Sequence, residues 1–253
     1  MGEKTKVTIV MPCYNEEKRV YRNALQVVSD LEKYMDVELI CVNDGSKDNT
    51  LEELEKAEKQ DNRIRIVSYK DNQGKGNALK AGVKAADITE KNQKIAFLDA
   101  DLELAPSLLI NFLEIMKVTH ANVVIGSKMH KDSKLNYPLH RKILSLGYFI
   151  ILKVLFRLNV KDTQTGIKLF DAELIKDVMP RVLVKRWAFD IEVLAICNSR
   201  GAKIVDTPIV LNFSRENGVG RIKLKDIVGM FVDTLAIFYR LYIIKYYTRG
   251  RKK

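Results

Sequence analysis

The feature that most constrains this chain is a rhythm in its first half. Five strand-like runs, Lys6–Met11, Val37–Val42, Ile64–Tyr69, Lys94–Leu98 and Asn122–Gly126, are separated by helix-like stretches. The helices are expected over Glu16–Met35, Asp48–Asp61, Gly74–Ala86 and Pro106–Lys117. Such alternation predicts an α/β, Rossmann-like fold, a mostly parallel sheet with helices on both faces. In such sheets the loops at the carboxyl ends of the strands form the ligand crevice. Pro12, Asp44, Asn72, Asp99 and Lys128 all follow a strand-like run closely, so they are expected to converge on one rim.

The second half breaks the rhythm. Pro138–Leu158 reads as a basic, strongly apolar helix, followed by Asp162-Thr163-Gln164-Thr165-Gly166 and a short run to Phe170. Ala188–Arg200 is expected to be a helix and Lys203–Phe213 a strand broken by Pro208. A loop from Ser214 to Gly220 leads into a helix from about Ile222 to Tyr247 and a basic tail. No repeat or linker interrupts the chain. We therefore read residues 1–221 as one domain, and 222–253 as a C-terminal amphipathic helix and tail.

Charge narrows the partners. Lys+Arg number 43 and Asp+Glu 32, a formal +11, which suits nucleic acid, an anionic membrane surface or a phosphorylated substrate. With 47% hydrophobic residues, a disordered chain is excluded. Cys13, Cys41 and Cys197 lack metal-site spacing and read as small buried hydrophobes of a reducing compartment. The start has no signal-peptide layout, and no charge-free run exceeds ten residues, so no transmembrane helix is expected.

Three local patterns carry chemistry. In Asp99-Ala100-Asp101 an extended chain would put both carboxylates on one side, where they could hold Mg²⁺ or Mn²⁺ beside a diphosphate, with Glu103 as a third ligand. The same triplet also suits a solvated or capping turn. Asn72-Gln73-Gly74-Lys75-Gly76-Asn77 could cradle phosphate at a helix amino end, or be a plain helix entry. Asp44 could accept hydrogen bonds from a base or ribose, or close an Asx turn.

VTIVMPCYNEE, CVNDGSKDNT, NQGKGNALKAG and FLDADLE, in this order and spacing, resemble the family-2 inverting glycosyltransferases of the GT-A fold. GSKMH, the Arg141–Ser145 pair, DTQTGIKLF, KRWAFDIEVL and the Arg215–Arg221 loop resemble the dolichyl-phosphate sugar synthases, the glucosyltransferase branch foremost and the mannosyltransferase branch next. The resemblance implies transfer of a hexose from a nucleotide sugar, UDP-glucose before GDP-mannose, to a dolichyl or other polyprenyl phosphate with inversion. By motif position it implies nucleotide-sugar contacts at Pro12, Tyr14, Glu16, Asp44, Lys75 and Asp99. It implies a metal site of Asp99, Asp101 and Glu103, filled by Mg²⁺ or Mn²⁺. It also implies an acceptor-phosphate clamp of Lys128, Arg141, Ser145, Arg215 and Arg221. Asp190 and Glu192 would face the donor sugar and, with Arg141, form the catalytic set. For Asp190 a helix-start cap is the plainer role. Three positions depart from the family's usual residues: Lys128 replaces a frequent Arg, Gly220 a frequent Ser, and Glu103 a Gln of some relatives.

A monoalkyl phosphate has a second pKa of ~6, so the acceptor arrives largely as a dianion and needs no strong base. The two apolar, basic helices suit the cytoplasmic face of a membrane, with the protein peripheral. A separate membrane-protein partner or a homo-oligomer stays open. Two rival readings remain: a nucleic-acid-binding module without activity, which would leave DAD and RWAFDIEVL unused, and a transferase acting on a water-soluble sugar. The resemblance implies no nucleic-acid partner.

Overall fold

The computed structural model describes residues 4–130, 132–133, 139–158, 160, 162–185, 188–209 and 224–248, with side chains from residue 147 onward in the helix that starts at 139 and from residue 228 onward in the one that starts at 224. One sheet of seven strands organises the chain: β1 Lys6–Cys13, β2 Asp36–Asp44, β3 Ile64–Tyr69, β4 Lys94–Leu98, β5 Val123–Ser127, β6 Ile167–Asp171 and β7 Ile204–Pro208. Their order across the sheet is β3-β2-β1-β4-β6-β5-β7. The helices are α1 Val20–Leu31, α2 Thr50–Gln60, α3 Lys75–Ala85, α4 Leu108–Thr119, α5 Leu139–Phe156, α6 Ala172–Val178, α7 Phe189–Ser199 and α8 Leu224–Phe238.

β1, β2, β3 and β4 pair in parallel, as the alternation predicts. Their residues are buried in near-continuous runs such as Ile9, Val10 and Met11, because helices cover both faces. Two apolar clusters result, one on each side of the sheet. α1 packs Val20, Ala24, Val27, Val28 and Leu31 into one of them at helical spacing.

Chain order reverses direction across the sheet between β1 and β4, which is where an open α/β sheet leaves a crevice at its carboxyl edge. β6 enters antiparallel between β4 and β5. The sequence marked it only as a run to Phe170 and gave no sign of α6. β6 pushes the end of β5 two strand widths from β4, roughly 10 Å.

Other boundaries shift for visible reasons. The expected helix start at Glu16 is a turn, because the Glu16 amide donates to Thr50 Oγ1 (2.7 Å) and the Glu17 amide to Asp48 Oδ2 (3.3 Å). The last helix does not run straight to Tyr247. It widens into a π turn over Tyr239–Ile243, and Lys245 adopts a left-handed φ of 53° before a short 3₁₀ turn at Tyr246–Thr248. All three cysteines are free and buried; the Cys13 thiol donates to the Met11 carbonyl (3.4 Å), and the neighbouring Cys41 together with burial raises it well above its ordinary value.

A candidate active site at the strand ends

A cleft of about 400 Å³ opens at the carboxyl ends of β1, β2 and β4. Pro12, Cys13, Tyr14 and Glu16 line it from the first strand and its loop, Asp44 from the second, and Asp99, Ala100 and Asp101 from the fourth. Asn72, Gly74 and Lys75 close it from the entry to α3. Four of the five rim residues expected from the sequence thus meet. Lys128 is not among the lining residues. It lies past β6, its amide donating to Asp162 Oδ2 (3.0 Å). A second depression, of about 480 Å³, lies beside Lys4, Glu32 and Arg63. It holds none of the expected site residues, and Arg63 there pairs with Glu32 at 2.6 Å.

The loops after β1 and β2 are sewn together. The Asn15 amide donates to Ser46 Oγ (3.1 Å) and the Lys47 amide to Asn15 Oδ1 (3.0 Å). Asn15 takes a left-handed φ of 56°. Tyr14 is left 43% exposed at the cleft, an aromatic face available for stacking on a flat ring. Glu16 turns its carboxylate to Arg19 at 2.5 Å.

Asp44 is 3% exposed and fully engaged. Its carboxylate accepts hydrogen bonds from the Tyr69 hydroxyl (2.7 Å), the Asn72 amide group (3.1 Å), and the backbone amides of Gln73 (2.8 Å) and Gly74 (2.9 Å). The anion beside the α3 entry is therefore Asp44 itself, which takes up the backbone amides of Gln73 and Gly74. The glycines serve close packing. A Cβ on Gly76 would stand 2.6 Å from the Phe189 ring and 3.0 Å from the Lys185 carbonyl. From this segment the Lys75 ammonium reaches into the cleft.

Lys75 Nζ pairs with Asp99 Oδ1 at 2.5 Å. Burial by itself would lower the ammonium's pKa, but the charges of Asp99, Asp190 and Asp101 outweigh it and hold the pKa above its ordinary value. With 46% of the side chain exposed, water screens the pair; it places a cation in the cleft rather than adding much stability.

The Asp99-Ala100-Asp101 segment is a turn, not the extended run expected. Leu102 takes a left-handed φ of 49°, and the Glu103 amide folds back to Asp101 Oδ1 (3.1 Å). Such strain in a non-glycine residue is held only where the surroundings fix it. Here Asn23, buried on α1, donates to the Ala100 carbonyl at 2.8 Å. Among the described residues, no group of three or more His, Cys, Asp or Glu stands together in a form that could hold a metal ion. Asp101 nonetheless suits a cation. Burial first, and then the charges of Asp99 and Glu103, raise its carboxyl above the ordinary value against the lowering effect of the Glu103 amide. A cation there would relieve that repulsion, with further ligands coming from a bound diphosphate.

Gly166 was not singled out from the sequence, yet it touches the same aspartate. A Cβ there would fall 2.2 Å from Asp99 Oδ2. The DTQTG loop thus abuts the cleft. Its Gln164 side chain bonds Met230 of α8 (3.2 Å), while Tyr148 of α5 bonds Thr234 of α8 (2.7 Å).

Asp190 and Glu192 part company. Asp190 pairs with Lys168 at 2.8 Å, and Lys168, 2% exposed, also donates to the Thr165 carbonyl. Asp190's charge reaches Lys75. It is not a cap: the N-cap of α7 is Ala188, with no side-chain bond. Glu192 is fully buried and bonded to the Leu183 and Val184 amides, Arg240 and Tyr247, so its expected place at the donor is corrected. Two positions on a helix differ by about 200°, which sends neighbouring carboxylates to opposite sides.

Arg215 and Arg221 lie outside the described residues. Arg141 and Ser145 sit in the first turns of α5, and their side chains also lie outside. Beyond them α5 exposes Ile150 and Val154, and α8 with its π turn exposes Val228, Phe231, Val232, Leu235, Tyr239, Tyr242 and Ile243. Tyr247 is buried at 2% exposure, and Phe238 packs on the core. Among the described residues no helix is long and apolar enough to cross a membrane.

Comparison with known proteins agrees with this arrangement. The family model "Glycosyl transferase family 2" matches residues 8–179. A dolichyl-phosphate beta-glucosyltransferase of Trichomonas vaginalis is 35% identical over 252 residues, 94% of this chain and 75% of that protein. The Homo sapiens dolichyl-phosphate beta-glucosyltransferase is 28% identical, covering 93% of this chain and 75% of its own. Among solved structures, glucosyl-3-phosphoglycerate synthase from Mycobacterium tuberculosis with Mn²⁺, UDP and phosphoglyceric acid superposes with a TM-score of 0.63. It covers 93% of this chain and 78% of that one at 19% identity, a likeness of fold, here GT-A.

Proposed function

Because this chain belongs to glycosyltransferase family 2, we propose that it transfers glucose from UDP-glucose to a polyprenyl phosphate of the dolichyl type, with inversion. The observation that carries this reading is the contact of Gly166 with Asp99. It joins the nucleotide-sugar end of the cleft to a loop bonded to α8, whose exposed apolar side chains suit a lipid-borne acceptor. The relatives named as dolichyl-phosphate beta-glucosyltransferases support glucose before mannose.

In this reading Pro12, Tyr14 and the Asp44 wall receive the nucleoside, and Lys75 meets the diphosphate. Asp99 and Asp101 would hold Mg²⁺ or Mn²⁺, which when bound would stabilise charge on the departing diphosphate. Asp190, paired with Lys168 and close enough for its charge to act on Lys75, orients a hydroxyl of the sugar or steadies positive charge developing on its ring. The acceptor phosphate needs no base at neutral pH. It needs a cationic seat behind the anomeric carbon, which we assign to Lys128, Arg141, Ser145, Arg215 and Arg221. Exposed Ile150, Val154 and Phe231, with Lys153 nearby, would rest on an anionic membrane surface without spanning it.

A panel of radiolabelled nucleotide sugars tests the reading, with dolichyl phosphate, Mg²⁺ or Mn²⁺, and extraction of product into organic solvent. Label from UDP-glucose should enter the lipid phase only when acceptor and metal are present. Preference for GDP-mannose would change the donor, and transfer only to a water-soluble sugar would overturn the acceptor.

A further inference from the structure

Glu192 has no place at the donor, and its surroundings give it another task. Its carboxylate accepts bonds from the amides of Leu183 (2.8 Å) and Val184 (2.7 Å), from the Arg240 guanidinium (3.0 Å) and from the Tyr247 hydroxyl. Arg240 Nε also donates to that hydroxyl at 2.7 Å. Burying a carboxylate is costly unless it is paired and its lone pairs are filled, and here both conditions are met. Two irregularities of the backbone bring the partners in. The π turn over Tyr239–Ile243 contains Arg240, and the left-handed Lys245 reverses the chain so that Tyr247 drops into the core. Single π turns recur at functional sites.

On its other side the hub leads to the cleft. Leu183 and Val184 run into Lys185, whose carbonyl accepts the Gly76 amide at 3.3 Å. The same carbonyl is 3.1 Å from where a Cβ on Gly74 would lie. Those two glycines flank Lys75, the cation paired with Asp99. Glu192 also shares the first turn of α7 with Asp190.

We propose that Glu192 is a positioning residue: through Arg240 and Tyr247 it fastens the C-terminal arm, residues 224–248, to the 183–185 segment, and so sets Lys75 and Asp190 in the donor cleft. The apolar arm and the nucleotide end are then one mechanical unit. The arm counts with the catalytic unit, although the sequence draws a boundary at residue 221. The inference rests on the reading of the cleft as a nucleotide-sugar site.

The test uses the full chain in detergent with a short-chain polyprenyl phosphate, comparing Arg240→Met, Arg240→Lys and Tyr247→Phe. Arg240→Met should raise KM for the nucleotide sugar about tenfold and leave KM for the acceptor within about twofold, and Arg240→Lys should restore part of the loss. Hydrogen exchange without substrate should quicken over residues 183–190 and 72–77 in Tyr247→Phe, which removes one hydroxyl and keeps the ring's packing. Equal rises in both KM values, or faster exchange confined to residues 239–248, would overturn the proposal. The exchange arm requires no turnover. Spread exchange in a protein inactive on every nucleotide sugar would therefore sink the functional reading and leave the coupling standing.

Discussion

The two sides of the cleft, proposed above to take the donor and the acceptor, are built by different rules. On the donor side, parallel strands β1, β2 and β4 deliver Tyr14, Asp44 and Asp99 to one rim, each a residue or two past its strand or at its end. The parallel order of the strands brings them together, and local side-chain bonds then fix the loops. On the acceptor side, an antiparallel strand, the loop at Gly166 and the helices α5 and α8 are held by side-chain contacts such as Tyr148 with Thr234. The first kind of site follows from strand order. The second depends on pairs of residues far apart in sequence, so single substitutions there should separate binding of the two substrates.

The largest effect is expected on the donor side. Asp101→Asn replaces a hard anionic ligand by a neutral amide and should reduce turnover by about a hundredfold or more, with the fold retained. Full activity of this variant, or of the wild type in EDTA, would remove the metal from the account.

A smaller effect is expected where the two sides touch. Gly166→Ala puts a methyl group 2.2 Å from Asp99 Oδ2, so either the loop or the aspartate must move. We expect a loss of about tenfold in kcat/KM for the nucleotide sugar and about 1–3 kcal/mol of stability. A fall in thermal stability with unchanged kinetics would mean that the loop yields and the aspartate does not, breaking the link between the sides.

The smallest effect is expected from the basic C-terminal residues. Removing Thr248–Lys253 takes away basic residues worth about 1 kcal/mol each near an anionic surface. Cosedimentation with anionic liposomes should weaken, and weaken further with salt, while the exposed apolar side chains retain part of the binding. Turnover on detergent-solubilised acceptor should stay nearly intact. An absence of liposome binding at low salt would assign the apolar faces of α5 and α8 to a protein partner.

Legibility follows the same division. Ile64–Tyr69 and Lys94–Leu98 are strands with the ends the sequence suggests, since a short apolar run bounded by turn residues carries its own signal. β6 carried less, because its five residues IKLFD alternate poorly and its direction depends on the strands that flank it. Asn23 lies on the amphipathic helix α1 with no motif to mark it, and only the fold shows it holding the Ala100 carbonyl.

Local periodicity and motifs in fixed order specified the sheet's parallel core, four of the five rim residues and the family. Tertiary structure decided which carboxylates do what. Asp44 was drawn to the amides of Gln73 and Gly74, Asp99 to Lys75, Asp190 to Lys168, and Glu192 into the core with Arg240 and Tyr247. A carboxylate's role is set by the donors and cations that the fold brings within about 3 Å, and the chain supplies those from positions far away in sequence.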